Sequence, residues 1–316
     1  MKIFVGRAIH DAGLKLLREA GYDVVVNDGP PLSPEQLRQS VRDCDALISV
    51  PPDKIDSALL DVAPNLRIVQ NYSVGVDNID LAECAARNVP VGNTPDVLTD
   101  ATADVAWALL MAAAWRVVEA DAFVRRGDWR GWEPKDFWGA DFNGATLGIV
   151  GFGRIGQAVA RRAQGFGLKV LYWNRSEREE ALELSATRVE LDVLLKQSDF
   201  VSVHCALTPD TRELLGEREL GLMKPSAILV NTARGAVIDQ SALAAALKHR
   251  TIRGAGLDVF EKEPLPLSDE LTQLPNVVLT PHYGSATERT RAAMSRLCGE
   301  NVLAALRGDA IPHLVK

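Results

Sequence analysis

The run ATLGIVGFGRIGQAVARRAQGFGLKVLYWNR, residues 145–175, constrains the fold more than any other part of the chain. An apolar strand, LGIV, enters Gly151-Phe152-Gly153-Arg154-Ile155-Gly156. A helix, QAVARRAQGFG, leaves it, and a second strand, KVLYWN, closes a βαβ unit. A bare G-x-G-x-x-G is weak, but this setting gives each glycine a task. Gly151 allows the tight turn, Gly153 lets backbone approach a pyrophosphate, and Gly156 lets helix pack on strand. The N–H groups at the helix start, around Arg154 and Ile155, then face the anion. The unit is read as a dinucleotide site.

The far end of that unit selects the dinucleotide. An Asp or Glu after the second strand would hold a ribose 2′-hydroxyl. This chain has Asn174-Arg175-Ser176 there, with no acid before Glu177. A guanidinium and a hydroxyl suit a 2′-phosphate, which an acid would repel. The expectation is NADP(H) preferred, with NAD(H) possible.

Strand–helix alternation runs through the rest of the chain. KIFVG, YDVVVND, DALISV, LRIVQNYS and VPVGNTP are short apolar runs separated by helical or loop segments, the first helix stopping at Gly21 and the second capped by Ser33 with Pro34 following. Alternation resumes after Gly144 with strands around DFVSVHCAL, AILVNTA, GAGLDV and VVLTPH. The expected class is α/β, with two doubly wound parallel-sheet domains joined by long helices. One long apolar helix is expected from Thr99 through RRG, followed by a Trp- and Gly-rich loop. A long amphipathic helix, ERTRAAMSRLCGENVLAALRG, ends the chain and is expected to pack back on the first unit.

Composition removes other classes. With 316 residues, 47% hydrophobic and 24% charged, the chain suits two globular cores. A net charge of −7 argues against a nucleic-acid partner. No apolar run is long enough to span a bilayer, and MKIFVGRAIHDAG does not read as a signal peptide, so a cytoplasmic protein without a membrane partner is expected. Cys44, Cys84, Cys205 and Cys298 are far apart and read as reduced, mostly buried thiols. With five histidines and no His-x-x-x-His pair, no metal site is expected.

Three polar residues follow apolar strands: Arg234 in NTARG, Glu263 in LDVFEKEP and His282 in VVLTPHYGSAT. Ligands of open α/β sheets bind at such strand ends. Singly, each has an ordinary structural reading; beside a dinucleotide fold, they become candidates for one crevice.

YSVGVDNID (residues 72–80), LGIVGFGRIGQAVARR, SVHCALTPDT, MKPSAILVNTARGAVID, GAGLDVFEKEP and LTPHYGSAT together resemble the D-isomer-specific 2-hydroxyacid dehydrogenases over nearly the whole chain. The similarity is to the glyoxylate and hydroxypyruvate reductase branch, with Gly284 to Thr287 after the histidine and Trp129, Trp132 and Trp138 before the Gly-rich loop. Tyr283 replaces the branch's usual Ile, and Ala206 a common Pro.

The resemblance implies a flavodoxin-like substrate domain, residues 1–99 plus 287–316, and a Rossmann NAD(P)-binding domain, residues 100–286. It implies that Arg234, Glu263 and His282 are catalytic. His282 gives the proton to a reduced carbonyl, Glu263 orients its ring and stabilises imidazolium, and Arg234 holds the substrate carboxylate and polarises the ketone. Val74 and Gly75 resemble a backbone N–H clamp for that carboxylate, and Asp258 the residue that binds the nicotinamide carboxamide. Thr102, Thr232, Ala233 and Gly284 are placed at the cofactor, with Gly284 letting the backbone turn close to it. Trp138 resembles a residue that reaches a partner subunit's pocket. A homodimer is expected, its interface built from the apolar connector helix and the Trp-rich loop, with a hinge that closes over a small 2-keto acid.

Other readings stay open from sequence. A 2-ketogluconate or other 2-ketoaldonate reductase shares much of the signature. A phosphoglycerate-type dehydrogenase is disfavoured by Asn174-Arg175 and by the lack of a further C-terminal regulatory domain. An NAD(H)-binding corepressor is a distant alternative.

Overall fold

Local rules account for most elements of the computed structural model, which describes residues 1–315. Ser33 caps helix Pro34–Ser40 through a capping box with Gln36, and Gly21, at φ +85°, follows the end of helix Asp11–Glu19. The chain forms two compact units. One holds Met1–Leu98 together with the residues from Ser285 on, and the other Thr99–Gly284.

The first unit is built on β1 (Lys2–Val5), β2 (Asp23–Val26), β3 (Ala46–Ser49), β4 (Ile68–Asn71) and β5 (Val91–Gly92). They pair in parallel in the order β2-β1-β3-β4-β5. β3 and β4 are buried at every position, as strands covered on both faces must be. The C-terminal helix, Glu288–Arg307, packs on helix Asp11–Glu19 and buries Met294, Cys298, Val302 and Leu306. Where these helices meet, Ser295 Oγ accepts from Gly13 N–H at 3.0 Å and donates to the His10 carbonyl.

The second unit holds β6 (Thr146–Val150), β7 (Lys169–Trp173), β8 (Ala186–Arg188), β9 (Phe200–Val203), β10 (Ile228–Asn231), β11 (Gly254–Leu257) and β12 (Val277–Leu279). All are parallel, in the order β12-β11-β10-β9-β6-β7-β8. The order reverses between β6 and β9. Ligands of doubly wound sheets bind at such a switch, outside the carboxyl ends of the strands.

The expected long helix from Thr99 is two helices, Thr99–Ala114 and Val117–Arg125, bent by 60°. The break is at Arg116, whose φ of +54° ends the first helix. Its guanidinium bonds both Glu119 carboxylate oxygens, at 2.8 and 2.5 Å, and lies 5.0 Å from the centre of the Phe137 ring. These contacts offset the cost of a left-handed arginine. The first helix buries Ala103, Ala106, Trp107, Leu109 and Leu110 within its own unit. No single helix among the described residues is long and apolar enough to cross a membrane.

The four cysteines are free thiols. Burial pushes Cys44, Cys84 and Cys205 up to about 11, so they stay protonated at neutral pH.

Candidate active site

The Gly-rich loop sits at the carboxyl end of β6. Gly151 has φ +94°, and a Cβ on it would lie 2.4 Å from Cys205 N; a Cβ on Gly156 would lie 2.3 Å from the Gly151 carbonyl oxygen. Only glycine fits either place. Gly153 faces open space, so backbone there is accessible to a ligand. Arg154 begins helix Arg154–Ala163, with Ile155 in its first turn. Beneath the loop, buried Phe152 stacks on Tyr172 at 4.2 Å. The donor set is thus a glycine turn aimed at a helix start, which fits a pyrophosphate.

Asn174 follows β7 and locks this loop: its Oδ1 accepts from Phe152 N–H at 3.2 Å, and its Nδ2 donates to the Ser176 carbonyl at 2.9 Å. Its side chain is therefore a brace, while Arg175 and Ser176 are exposed beside it. Arg188, not singled out from sequence, joins them. From β8 its guanidinium donates to the carbonyls of Asn174 at 3.2 Å and Arg175 at 3.4 Å. Only the β7–β8 pairing reveals that second arginine.

Arg234 follows β10. Asn231, buried at the strand end, donates from Nδ2 to the Arg234 carbonyl at 2.9 Å and accepts from Ala233 N–H at 2.9 Å. The Arg234 guanidinium donates to the Ala233 carbonyl at 2.8 Å. Thr232 is buried, and its hydroxyl lies 3.5 Å from His204 Nδ1. His204, also missed from sequence, has its Nε2 2.7 Å from Ser202 Oγ. Burial holds its pKa far below the usual imidazole range, so it is a neutral wall residue. Beside Arg234, a Cβ on Gly235 would fall 1.9 Å from the Phe260 carbonyl carbon. That close approach brings the Arg234 loop against the turn that carries Glu263.

Glu263 uses both oxygens. Oε1 accepts from Phe260 N–H at 3.0 Å, and Oε2 lies 2.7 Å from His282 Nδ1. Burial pushes the Glu263 pKa up, but the His282 hydrogen bond and charge, the Phe260 N–H and the Arg234 charge outweigh it. The carboxyl sits below its ordinary range and is ionised at neutral pH.

His282 itself occupies the left-handed region, at φ +51°. Gly284, expected to let the backbone turn close to the cofactor, lies outside that region and is buried between Asp258 and Thr102. The turn is held by Asp258, which is 1% exposed at the end of β11. Oδ1 accepts from Thr280 Oγ1 at 2.7 Å and Tyr283 N–H at 3.0 Å, and Oδ2 from Gly284 N–H at 2.9 Å. Asp258, expected at the cofactor's carboxamide, therefore also pins the Thr280 side chain before the histidine and two backbone N–H groups after it. Thr102, in the first turn of helix Thr99–Ala114, is buried against Gly284.

Val74 and Gly75 lie in the loop after β4 of the first unit. Trp138 is 65% exposed; its indole donates to the Pro134 carbonyl at 2.9 Å, and its carbonyl accepts from Arg253 at 2.5 Å. Among the described residues no three His, Cys, Asp or Glu side chains gather to hold a metal ion.

Residues 107–284 match the family model of the D-isomer specific 2-hydroxyacid dehydrogenase NAD-binding domain. A glyoxylate reductase of Thermococcus litoralis is 51% identical over 320 residues, covering 99% of this chain and 96% of that one. A solved protein of Thermus thermophilus superposes with a TM-score of 0.95 at 45% identity, covering 100% of both chains. An NADPH-dependent glyoxylate/hydroxypyruvate reductase of Sinorhizobium meliloti, solved with NADP and malonate, gives 0.89 at 34% identity, covering 99% of this chain and 96% of that one. With a dinucleotide loop, an ionised glutamate on a histidine and an arginine beside them, this chain belongs to the D-isomer specific 2-hydroxyacid dehydrogenase family and is an NAD(P)-dependent oxidoreductase.

Proposed function

We propose that this chain reduces glyoxylate and hydroxypyruvate to the corresponding 2-hydroxy acids, of D configuration where chiral, and prefers NADP(H). The observation that carries the reading is the 2.7 Å contact between His282 Nδ1 and an ionised Glu263. With Nδ1 engaged, Nε2 is the nitrogen left to give a proton to a developing alkoxide. Glu263 fixes the ring's orientation and stabilises the imidazolium before transfer. Arg234 holds the substrate carboxylate and draws electron density from the ketone oxygen. When bound, the reduced nicotinamide supplies the hydride that the carbonyl carbon accepts. His282 then regains its proton from solvent, and the reverse reaction uses it as a base.

NADP(H) preference rests on Arg175, Arg188 and Ser176 around the end of β7, where no acid precedes Glu177. The solved relative carrying NADP supports it. The names of the curated relatives support glyoxylate as substrate.

The working form is a homodimer. The helix Thr99–Ala114 spends its apolar residues inside its own unit, so the interface rests on the following segment. There Trp115, Val117, Val118, Val124, Trp129, Trp132 and Trp138 remain exposed. So many large apolar groups in one segment mark an interaction face. Sedimentation at working concentration is expected to give twice the 34.3 kDa chain mass, and a monomer alone would refute it.

The substrate test is loss of nicotinamide absorbance with NADPH and NADH side by side, against glyoxylate, hydroxypyruvate, pyruvate and 2-ketogluconate. Fast NADPH oxidation with glyoxylate or hydroxypyruvate is expected. Turnover of 2-ketogluconate alone would overturn the substrate assignment, and no turnover with any acid would overturn the reductase reading.

A further inference from the structure

The loop after β4 presents three consecutive peptide carbonyls, each held by a protein donor. The Ser73 carbonyl accepts from Thr94 N–H at 2.9 Å, the Val74 carbonyl from Asn93 Nδ2 at 2.8 Å, and the Gly75 carbonyl from Asn71 Nδ2 at 2.7 Å. A trans peptide points its N–H away from its own carbonyl. Holding these carbonyls therefore fixes the directions of the Val74, Gly75 and Val76 N–H groups. Among the described residues none of these N–H groups has a protein partner. Backbone donors are rarely left so, and a row of them suits an anion.

The two asparagines are themselves immobilised. Asn71 is fully buried; its Oδ1 accepts from Ser49 Oγ at 3.0 Å, and its Nδ2 also donates to Asn78 Oδ1 at 2.9 Å. Asn78 is anchored in turn by donating to the Asp53 carbonyl at 2.9 Å. Asn93 is held through its backbone, its N–H donating to the His313 carbonyl at 3.2 Å and its carbonyl accepting from Asn301 Nδ2 at 3.3 Å. The Asn71 amide nitrogen thus comes from a buried side chain with little freedom to turn, and that of Asn93 from a residue whose backbone is held at both its N–H and its carbonyl. Prealigned donors lose no orientation entropy when an anion arrives.

We infer that Asn71 and Asn93 are positioning residues for the substrate carboxylate, turning the 74–75 and 75–76 peptides so that the Gly75 and Val76 N–H groups join that of Val74. The inference rests on the reading that this loop receives the carboxylate, and it extends the donor set from the pair Val74 and Gly75 to Val76.

The test compares Asn93→Ala, Asn93→Asp, Asn71→Ala and Gly75→Pro with the native enzyme. It measures KM and kcat for glyoxylate, inhibition by oxalate as an unreactive carboxylate, and NADPH affinity by fluorescence. The asparagine variants should raise the glyoxylate KM and the oxalate Ki about tenfold, the order expected for one lost supporting hydrogen bond, while kcat changes less. NADPH affinity should stay native. Asn93→Asp fills the same space without a donor at neutral pH and adds a charge that opposes the anion, so it should raise the KM at least as much as Asn93→Ala; a native KM in the aspartate variant would show that packing alone matters and would overturn the inference. Gly75→Pro deletes one of the proposed donors outright. A raised KM there with native values in the asparagine variants would overturn the positioning role and leave the carboxylate reading standing. A native KM in Gly75→Pro would overturn that reading, and the positioning role with it.

Discussion

Replacing Asp258 with asparagine preserves shape and removes charge, and its consequences can be worked through. The carboxylate is 1% exposed and accepts from Thr280 Oγ1, Tyr283 N–H and Gly284 N–H at 2.7, 3.0 and 2.9 Å. An amide has one acceptor oxygen and one NH₂. Whichever way it turns, the N–H of Tyr283 or of Gly284 then faces another donor. A buried donor left unpaired costs about 1–3 kcal/mol, and the surviving bonds lose their charge assistance. Asp258→Asn should therefore destabilise its unit by about 2–4 kcal/mol, a fall in melting temperature of roughly 5–15 °C for a unit of this size. His282 lies within the pinned turn at φ +51°, so its aim should loosen as well, lowering kcat by at least about tenfold. Calorimetry of the cofactor-free protein and steady-state kinetics read the two effects separately. An unchanged melting temperature without cofactor, with only nicotinamide affinity lost, would refute the pin and leave Asp258 a cofactor contact alone.

Three further outcomes follow from the same geometry. The folded pKa of Glu263 is depressed below 4.5, so its pairing contributes stability above that value and loses it as pH falls through the folded pKa. In denaturant titrations the stability gap between the native chain and Glu263→Gln should narrow from about pH 6 to about pH 3, and a constant gap would contradict the pairing. Arg175→Asp should swing cofactor selectivity toward NADH by at least about tenfold, with Arg188→Ala moving it the same way by less; unchanged NADPH/NADH ratios of kcat/KM in both would show that the phosphate is held elsewhere. Gly156→Val places a Cβ 2.3 Å from the Gly151 carbonyl oxygen and should abolish NADPH binding measured by fluorescence, whereas native affinity would show that the helix start can shift away.

Much of this was legible in the chain because local signals and the fold agree. Apolar runs of strand length separated by capped helices required parallel α/β units, and the Gly-rich loop could be placed because strand, turn and helix follow directly in sequence. The misses share a cause: they depend on residues distant along the chain. Nothing between Trp115 and Val118 breaks a helix, and the bend at Arg116 is stabilised in part by Phe137. The left-handed dihedral at His282 had no glycine to announce it, and the turn after it is held by a carboxylate 26 residues before Gly284. Arg188 reaches the loop after β7 only because β8 pairs there. The donors that orient the 74–76 peptides include Asn93, brought close by the β4–β5 pairing.

The central claim is that His282, held by Glu263, delivers the proton in an NADPH-dependent reduction of glyoxylate. It is tested most directly by single-turnover and steady-state NADPH oxidation in the native enzyme and in His282→Ala, with NADPH affinity measured on the same samples. The account predicts a loss of about 10²–10⁴ in kcat with NADPH affinity kept, the contribution of a positioned general acid. A His282→Ala variant that turned over glyoxylate within a few-fold of the native rate would contradict it.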